Sequence, residues 1–358
     1  RIAAWGDFRR FMDLTFAEAM RYTQQVVEEL DPGALTLVGG TQMPTPFNGT
    51  DWWLLSRTFG ILEPYFGIPQ FRSFNPGLPI IQACGYQDEG SHLEEELWRR
   101  ALQGQRGATI FWNYTLHDPD LVLNSQGEAM ARAFGALRGQ GIAKLLLGAR
   151  RDDCRIAVLY SQLSLYVAWI QDGDIRSGKS ALAERWHAVN RAWEQAITRM
   201  GLQYRAVSYE QLARGEVSRR DFDVRVLPMT LSLSDAELEA VRRFAAGGGL
   251  VVADGEPGRF DDHCRPRVAP PLGGVEGVRC LEGGDGDADA FAETLAGWLQ
   301  PLLQKAGISS QVEIAGARPE VVRFADGVAE YLGIARTPDE FDRIVAEERG
   351  HVRLLSAM

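Results

Sequence analysis

Hydrophobic and polar positions in residues 1–150 switch repeatedly between a helical and a strand-like pattern. Apolar residues recur at helical spacing from Phe16 to Leu30, with Asp13 as the predicted N-cap of this helix. Further helices are predicted at 52–59, at 91–103 with Ser91 as the N-cap, and at 128–147. Short apolar runs predict strands at 35–38, 61–65, 78–84 and 108–112. This alternation favours a parallel sheet with crossover helices.

Polar and aromatic residues stand at or just beyond the ends of these four predicted strands. They are Gln42, Glu63, Tyr65, Asp88, Glu89, Trp112 and Asn113. In a TIM barrel the carboxyl ends of the strands face the active site. Four units are half of a barrel, and half a barrel leaves backbone groups unpaired at its open edges. We therefore predict that residues 1–150 form half of a TIM barrel whose strand ends line a site.

A second α/β pattern covers residues 151–308. Strands are predicted at 155–160, 202–207, 223–227 and 250–253, and helices at 181–200, 234–246 and 288–306. Ser234 and Glu237 have the spacing of a capping box, whereas residues 257–286 are rich in Gly, Pro and Asp and predict loops. The pattern predicts a doubly wound, flavodoxin-like domain, a fold shared with class I glutamine amidotransferases.

Residues 309–358 change to short alternating strands, which are predicted at 311–314, 320–324, 329–334 and 351–355. Asp326-Gly327 is a hairpin turn signal between two of them. We interpret this segment as the start of a C-terminal β-domain.

The excess of acidic residues limits the classes of binding partner that we expect. Acidic residues exceed basic ones, 48 to 38, and the net charge is −10. A nucleic acid or an anionic membrane requires a basic surface, so we expect neither as a partner. No run reaches the ~18 apolar residues of a membrane-spanning helix. The chain begins at Arg1 without a signal peptide, so we expect its true N-terminus elsewhere, and the compartment, cytoplasmic or secreted, cannot be read from this end.

Cysteine and glycine spacings give no sign of a metal or cofactor. The four cysteines show neither C-x-x-C nor zinc-ligand spacing, and none lies in the G-x-C-x-G context of an amidotransferase nucleophile. Gly247-Gly248-Gly249 follows a predicted helix, whereas a phosphate-binding loop lies between a strand and a helix N-terminus. We expect no cofactor and no metal, and an interaction role for the second domain.

These elements resemble glycoside hydrolase family 42, the microbial β-galactosidases. The strand ending Gly39-Gly40-Thr41-Gln42, the strand ending Glu63-Pro64-Tyr65 and the aromatic strand 111–114 are similar to the second half of that family's barrel. The segment from Cys154 to Gly258 resembles its trimerisation domain, and the tail from Val312 resembles the start of its C-terminal β-domain. The resemblance covers nearly the whole chain and fits divergent, long members best.

The resemblance implies retaining hydrolysis of β-galactosides or related glycosides, and a homotrimer. In the family the acid/base glutamate follows the fourth barrel strand, which would lie upstream of Arg1, so this chain lacks it. The family nucleophile is a glutamate at the end of the seventh strand. Here that strand, residues 79–85, contains no carboxylate, and Asp88 and Glu89 are the first ones after it.

Each candidate residue also has a structural interpretation. Asp88 or Glu89 would be the nucleophile. Alternatively, both are acidic residues whose negative charges interact favourably with the dipole of the following helix. Glu63 would bond a sugar hydroxyl or orient the nucleophile, or else it is a polar strand end. Tyr65 and Trp112 would stack on a sugar ring, and Gln42 and Asn113 would bond hydroxyls, although aromatics at a barrel rim, Trp52 and Trp53 included, are also ordinary core.

Three functions follow from these alternatives. The first is a fragment of a glycoside hydrolase, inactive alone. The second is a non-catalytic carbohydrate-binding or oligomerisation module derived from this family, which the missing carboxylate near Ala83 favours. The third is an amidotransferase-like enzyme in residues 151–308, which the cysteine contexts disfavour.

Overall fold

The computed structural model of the chain describes residues 2–84, 90–110, 116–281, 287–310, 312–314, 320–335 and 352–354. It divides into two compact units. The sheet unit comprises Arg1–Thr23, Pro44–Thr58 and Asp153–Ser309, and the arc unit comprises Gln24–Met43, Phe59–Asp152 and Ser310–Met358.

The helices and strands alternate along most of the chain. The helices are α1 (Ile2–Leu30), α2 (Trp52–Leu55), α3 (Ile68–Phe74), α4 (Gly90–Gln103), α5 (Ser125–Gly139), α6 (Ile142–Gly148), α7 (Gln162–Asp172), α8 (Ala181–Arg199), α9 (Tyr209–Ala213), α10 (Asp235–Ala246) and α11 (Ala288–Lys305). The strands are β1 (Leu37–Thr41), β2 (Ile61–Pro64), β3 (Ile81–Cys84), β4 (Gly107–Ile110), β5 (Arg150–Arg151), β6 (Ile156–Tyr160), β7 (Arg205–Ser208), β8 (Val224–Leu227), β9 (Leu250–Asp254), β10 (Val278–Leu281), β11 (Val312–Ile314), β12 (Glu320–Ala325), β13 (Glu330–Ala335) and β14 (Val352–Leu354).

The arc unit contains four parallel strands that are neighbours in the order of the chain. β1 pairs with β2 and β3 pairs with β4, both in parallel. A parallel bridge between Leu62 and Ile80, both fully buried, joins the two pairs. Within the described residues, no strand pairs with the outer edge of β1 or of β4. Strands in unbroken chain order are what one arc of a barrel requires, because each crossover advances by one position.

Helices and a short antiparallel sheet complete the arc unit. α4 packs on α5 through Leu93, Leu97, Met130 and Ala133. β12 and β13 form the hairpin predicted at Asp326-Gly327, and β5 joins the free edge of β12. Gly141, with φ +74°, separates α5 from α6, so the single helix predicted at 128–147 is wrong. A left-handed residue at this position breaks the helical ladder, and glycine supplies it at low cost.

The sheet unit is built on five parallel strands in the order β10-β9-β8-β6-β7. Numbered from its first strand, the sheet has the order 5-4-3-1-2. One face packs on α10, where buried residues include Leu159, Val251, Leu238, Val241 and Phe244. α8 packs against α7 and α11. β10 lies in the segment predicted as loops, and that prediction is wrong because pairing with β9 makes residues 278–281 a strand.

One predicted helix start is also wrong. α1 begins at Ile2 and not after Asp13, which lies inside the helix and is only 2% exposed. α4 runs from Gly90, and the predicted capping role of the Ser91 side chain lies outside the described residues. In contrast, the capping box of α10 is confirmed: Ser234 Oγ accepts from the Glu237 N–H at 3.2 Å, and Glu237 Oε2 accepts from the Ser234 N–H at 2.7 Å.

Across the parts of the chain that the structure describes, no helix is long and apolar enough to cross a membrane.

Candidate functional site

The carboxyl ends of β1 and β2 bring three of the predicted site residues together. Glu63 lies in register with Gly39, and the Tyr65 N–H donates to the Thr41 carbonyl at 3.0 Å, so both strands end at one edge. Gln42 is exposed there, and its Nε2 donates to the Gly40 carbonyl at 2.9 Å. The predicted grouping of Gln42, Glu63 and Tyr65 thus exists as a surface at the strand ends of the arc.

Two glycines make room for the acidic and the aromatic side chain at this edge. A Cβ on Gly39 would lie 3.7 Å from Glu63 Oε2. A Cβ on Gly40, which has φ +71°, would lie 3.1 Å from ring atoms of Tyr65. The register shifts between Gly39 and Thr41, which bends β1 at this point. The Gly-Gly pair therefore lets the Tyr65 ring rest directly on the backbone of β1.

Glu63 is the charged group of this edge. Its exposed fraction is 9%, and its Oε2 lies beside the backbone of Gly39. Tyr65 is 37% exposed beside it. An acceptor and an exposed ring side by side are the groups that a sugar ring needs.

The other four candidate residues lie outside the described residues. Asp88 and Glu89 follow β3 in the sequence, and Trp112 and Asn113 follow β4. Their roles stay predictions. The strand β3 itself reads Ile-Gln-Ala-Cys, with no carboxylate.

Trp52 and Trp53 do not line the strand ends, because both are buried core residues of the sheet unit. They are 8% and 4% exposed. The Trp52 ring stacks on Tyr160 with a centroid distance of 5.8 Å. The preceding residue, Asp51, caps α2 by accepting from the Trp53 N–H at 2.9 Å. Core packing is thus the role that the structure gives these two rings.

A buried polar network in the sheet unit was not predicted from the sequence. Trp52 N–H donates to Tyr160 Oη at 3.2 Å, and Tyr160 donates to Gln162 Oε1 at 2.5 Å. Gln162 Nε2 then donates to Tyr166 Oη at 3.0 Å, and Tyr166 donates to Asp13 Oδ2. The bonds run in one direction from the start of α2 to the middle of α1.

A second carboxylate lies beside this chain of bonds. Tyr209 donates to Asp51 Oδ2 at 2.7 Å. Burial, with the charge of Asp51 nearby, raises the pKa of Asp13 to about 7, and burial raises the pKa of Asp51 to about 6. The sequence signal for Asp13 is a polar residue on the apolar stripe that contains Ala17, which indicates a buried partner and not a cap.

Two of the described cysteines, Cys264 and Cys280, do not have the environment of a nucleophile. Cys264 is 2% exposed, and burial raises the pKa of its thiol to about 12. Burial also raises the pKa of Cys280. A catalytic thiol requires a lowered pKa, so neither cysteine supports an amidotransferase-like activity. Among the residues that the structure describes, no group of His, Cys, Asp and Glu has the arrangement of a metal site.

No protein-family model matches the sequence, and no curated protein matches it. Solved structures do resemble the chain. The GH42 exo-carrageenase of Bacteroides ovatus has a TM-score of 0.64 at 13% identity, covering 93% of this chain and 52% of its own. A GH42 β-galactosidase of G. stearothermophilus has a TM-score of 0.69 at 13% identity, covering 93% and 62%. The β-galactosidase of Rahnella sp. R3 has a TM-score of 0.70 at 12% identity, covering 92% and 63%.

The fold is therefore glycoside hydrolase-like, with parallel α/β sheets. More narrowly, the chain has a divergent GH42-like fold. It spans 52 to 63% of the length of the three structures that it resembles.

Proposed function

We propose that this chain is part of a glycoside hydrolase that acts on β-galactosides or related glycosides with retention of configuration. The observation that carries the proposal is the surface formed by Gln42, Glu63 and Tyr65 at the strand ends of a GH42-like arc. In a closed barrel this edge faces the substrate. A carboxylate, an amide and an exposed ring at one edge suit a polyhydroxylated ring.

The proposed architecture has three parts. Residues 1–150 are the second half of a TIM barrel, residues 151–308 a flavodoxin-like trimerisation domain, and residues 309–358 the start of a β-domain. The order 5-4-3-1-2 of the parallel sheet supports a flavodoxin-like fold for the second part, since it is the flavodoxin order 2-1-3-4-5 read from the other edge. The outer edges of β1 and β4 support the first, because no strand of the described residues pairs with them and further strands would.

The proposed mechanism is double displacement. The nucleophile, Asp88 or Glu89, attacks the anomeric carbon, and the leaving-group oxygen takes a proton from an acid that another part of the polypeptide supplies. That residue, now a base, removes a proton from water, which displaces the carboxylate from the glycosyl-enzyme intermediate and releases the sugar. Glu63 accepts a hydrogen bond from a sugar hydroxyl. Trp112 and Tyr65 stack on the sugar ring, and Gln42 and Asn113 form hydrogen bonds with its hydroxyls.

A second candidate is a carbohydrate-binding or oligomerisation module that has lost the chemistry. The sequence Ile-Gln-Ala-Cys of β3 favours it, since no carboxylate stands within this strand. In that case the edge around Glu63 would still bind a sugar, and no substitution would change turnover because there would be none.

The first prediction concerns the 358-residue chain by itself. We expect it to release no nitrophenol from 4-nitrophenyl β-D-galactoside, because retaining hydrolysis needs a pair of carboxylates and this chain supplies one of them. The complete polypeptide encoded by the gene that contains this sequence is expected to hydrolyse the same substrate. Turnover by the chain alone would contradict the missing acid/base. A complete polypeptide that binds galactose without hydrolysing any nitrophenyl glycoside would favour the binding module.

A further inference from the structure

We infer that the buried contact of Asp13 with Tyr166 is a proton-controlled clasp, which holds residues 2–23 and 44–58 against the rest of the sheet unit. It loosens as the solution turns from acidic to weakly alkaline, because Asp13 must then be buried as a charged group, which the bond from Tyr166 offsets only in part. The clasp is a property of the sheet unit and does not depend on the proposed hydrolase activity.

The first support is where the bonded groups come from. Asp13 belongs to α1 and Asp51 precedes α2, whereas Tyr166 belongs to α7 and Tyr209 to α9. These two carboxylates therefore attach two early segments of the chain to elements that follow 153 and 158 residues later. A change in either carboxylate acts directly on how the early segments are held.

The second support is that Asp13 has little compensation for a negative charge. Its exposed fraction is 2%, Oδ2 accepts from Tyr166, and Oδ1 has no hydrogen-bond partner within the described chain. Tyr166 is itself 0% exposed, so water has little access to this contact. A buried carboxylate with one unpartnered oxygen is better accommodated with a proton than without.

The third support comes from the charges that face Asp13. The Asp51 carboxylate raises the pKa of Asp13, while the Tyr166 hydrogen bond and the charges of Arg9 and Arg10 lower it, and burial is the largest effect. Asp51 in turn has the Glu210 carboxylate and the Tyr160 hydroxyl as neighbours. The balance leaves a pKa of about 7, so the group titrates near neutral pH.

Other titratable groups also face α1. His263 Nδ1 lies 2.8 Å from Asp7 Oδ1, and this bond raises the pKa of the exposed His263. Glu237 of α10 has a pKa raised to about 7 by burial and is influenced by Arg10. Asp51, whose pKa burial raises to about 6, and these two groups contribute pH dependence of the same sign, which is why the test compares variants of Asp13 and does not rest on the wild type alone.

The direction of the pH effect follows from the difference between the pKa of Asp13 in the closed state and in the open state. A carboxyl group whose pKa is higher in the closed state than in the open state stabilises the closed state. This stabilisation is complete below the open-state pKa, and it is lost as the pH rises through the closed-state pKa. With 3.8 in the open state and about 7 in the closed state, opening becomes roughly thirtyfold more favourable between about pH 5.5 and about pH 8. Acid therefore closes the clasp and alkali opens it.

The test is hydrogen exchange, read by mass spectrometry on peptides from residues 2–23 and 44–58 and corrected for the intrinsic effect of pH. We expect their protection factors to fall by roughly ten- to thirtyfold from about pH 5.5 to about pH 8. Asp13→Asn should make that fall clearly smaller, since an amide does not titrate, and leave only the part that Asp51, Glu237 and His263 contribute. Tyr166→Phe should shift it to higher pH, because the lost bond stabilises the charged form. Glu18→Gln, an exposed change on the same helix, should leave it unchanged.

Two outcomes would overturn the clasp. One is wild-type protection of these peptides that does not change with pH, a measurement that needs no variant to fold. The other is Asp13→Asn protein whose protection falls with pH as much as that of the wild type.

Discussion

Replacing Trp193 with alanine is expected to lower the free energy of unfolding of the sheet unit by about 3–5 kcal/mol. Trp193 is 0% exposed, and its ring meets Trp298 edge-on at a centroid distance of 6.2 Å. Its removal leaves a large cavity between α8 and α11. It also takes a hydrogen-bond donor from Asp254 Oδ1, to which Trp193 Nε1 donates at 2.6 Å.

Urea unfolding followed by circular dichroism measures this loss. Trp193→Phe is the matched variant, because it keeps a buried aromatic ring and removes the bond to Asp254 with a smaller part of the packing volume, so a smaller loss is expected. Phe11→Ala is the surface control, since Phe11 is 60% exposed, and its effect should stay within about 0.5 kcal/mol. A loss below about 1 kcal/mol for Trp193→Ala would mean that this contact is not the core of the unit.

The second large effect concerns turnover by the complete polypeptide. One of the two substitutions Asp88→Asn and Glu89→Gln is expected to lower kcat by at least roughly a thousandfold, because losing the nucleophile removes the covalent step. The other should change kcat by less than about tenfold, since neighbouring side chains point in different directions and only one can reach the anomeric carbon.

The readout is hydrolysis of 4-nitrophenyl β-D-galactoside by each purified variant. Glu128→Gln serves as the control, because it removes a carboxylate from the exposed start of α5 in the same unit. If both substitutions leave kcat unchanged, the nucleophile lies elsewhere in the polypeptide. If no variant and no wild-type protein has activity, the binding module becomes the better account.

Local sequence signals predicted the elements whose cause is local. The capping box at Ser234 and Glu237 is formed by residues three positions apart, and both its hydrogen bonds are present. The strand at 250–253 was likewise predicted from its apolar run, and the structure has it at Leu250–Asp254. Such features do not require knowledge of the rest of the chain.

Elements with a distant cause were missed. Residues 278–281 form a strand because they pair with the edge of β9. They are partly exposed and mix apolar and charged residues, so their sequence shows no alternating pattern. Asp13 resembles a helix cap in sequence, yet its partner Tyr166 is 153 residues away. α7 is almost wholly buried at its start, from Gln162 to Trp169, so it lacks the amphipathic period that marks a surface helix.

The candidate site shows the same division. The grouping of Gln42, Glu63 and Tyr65 followed from parallel topology alone, since strand ends of consecutive parallel strands share one edge. Two details depend on the bend in β1 and its register with β2: the Tyr65 ring lies against Gly40, and Glu63 is nearly buried. No spacing in the sequence specifies these two facts.

The most direct test of the proposed sugar site is a crystal structure of the complete polypeptide soaked with galactose. The account predicts a sugar hydroxyl within about 2.6–3.2 Å of the Glu63 carboxylate, the ring face against Tyr65, and a further strand paired with the outer edge of β1. Galactose bound elsewhere, or an arc that forms a self-contained sheet with Glu63 facing away from any shared cleft, would contradict it.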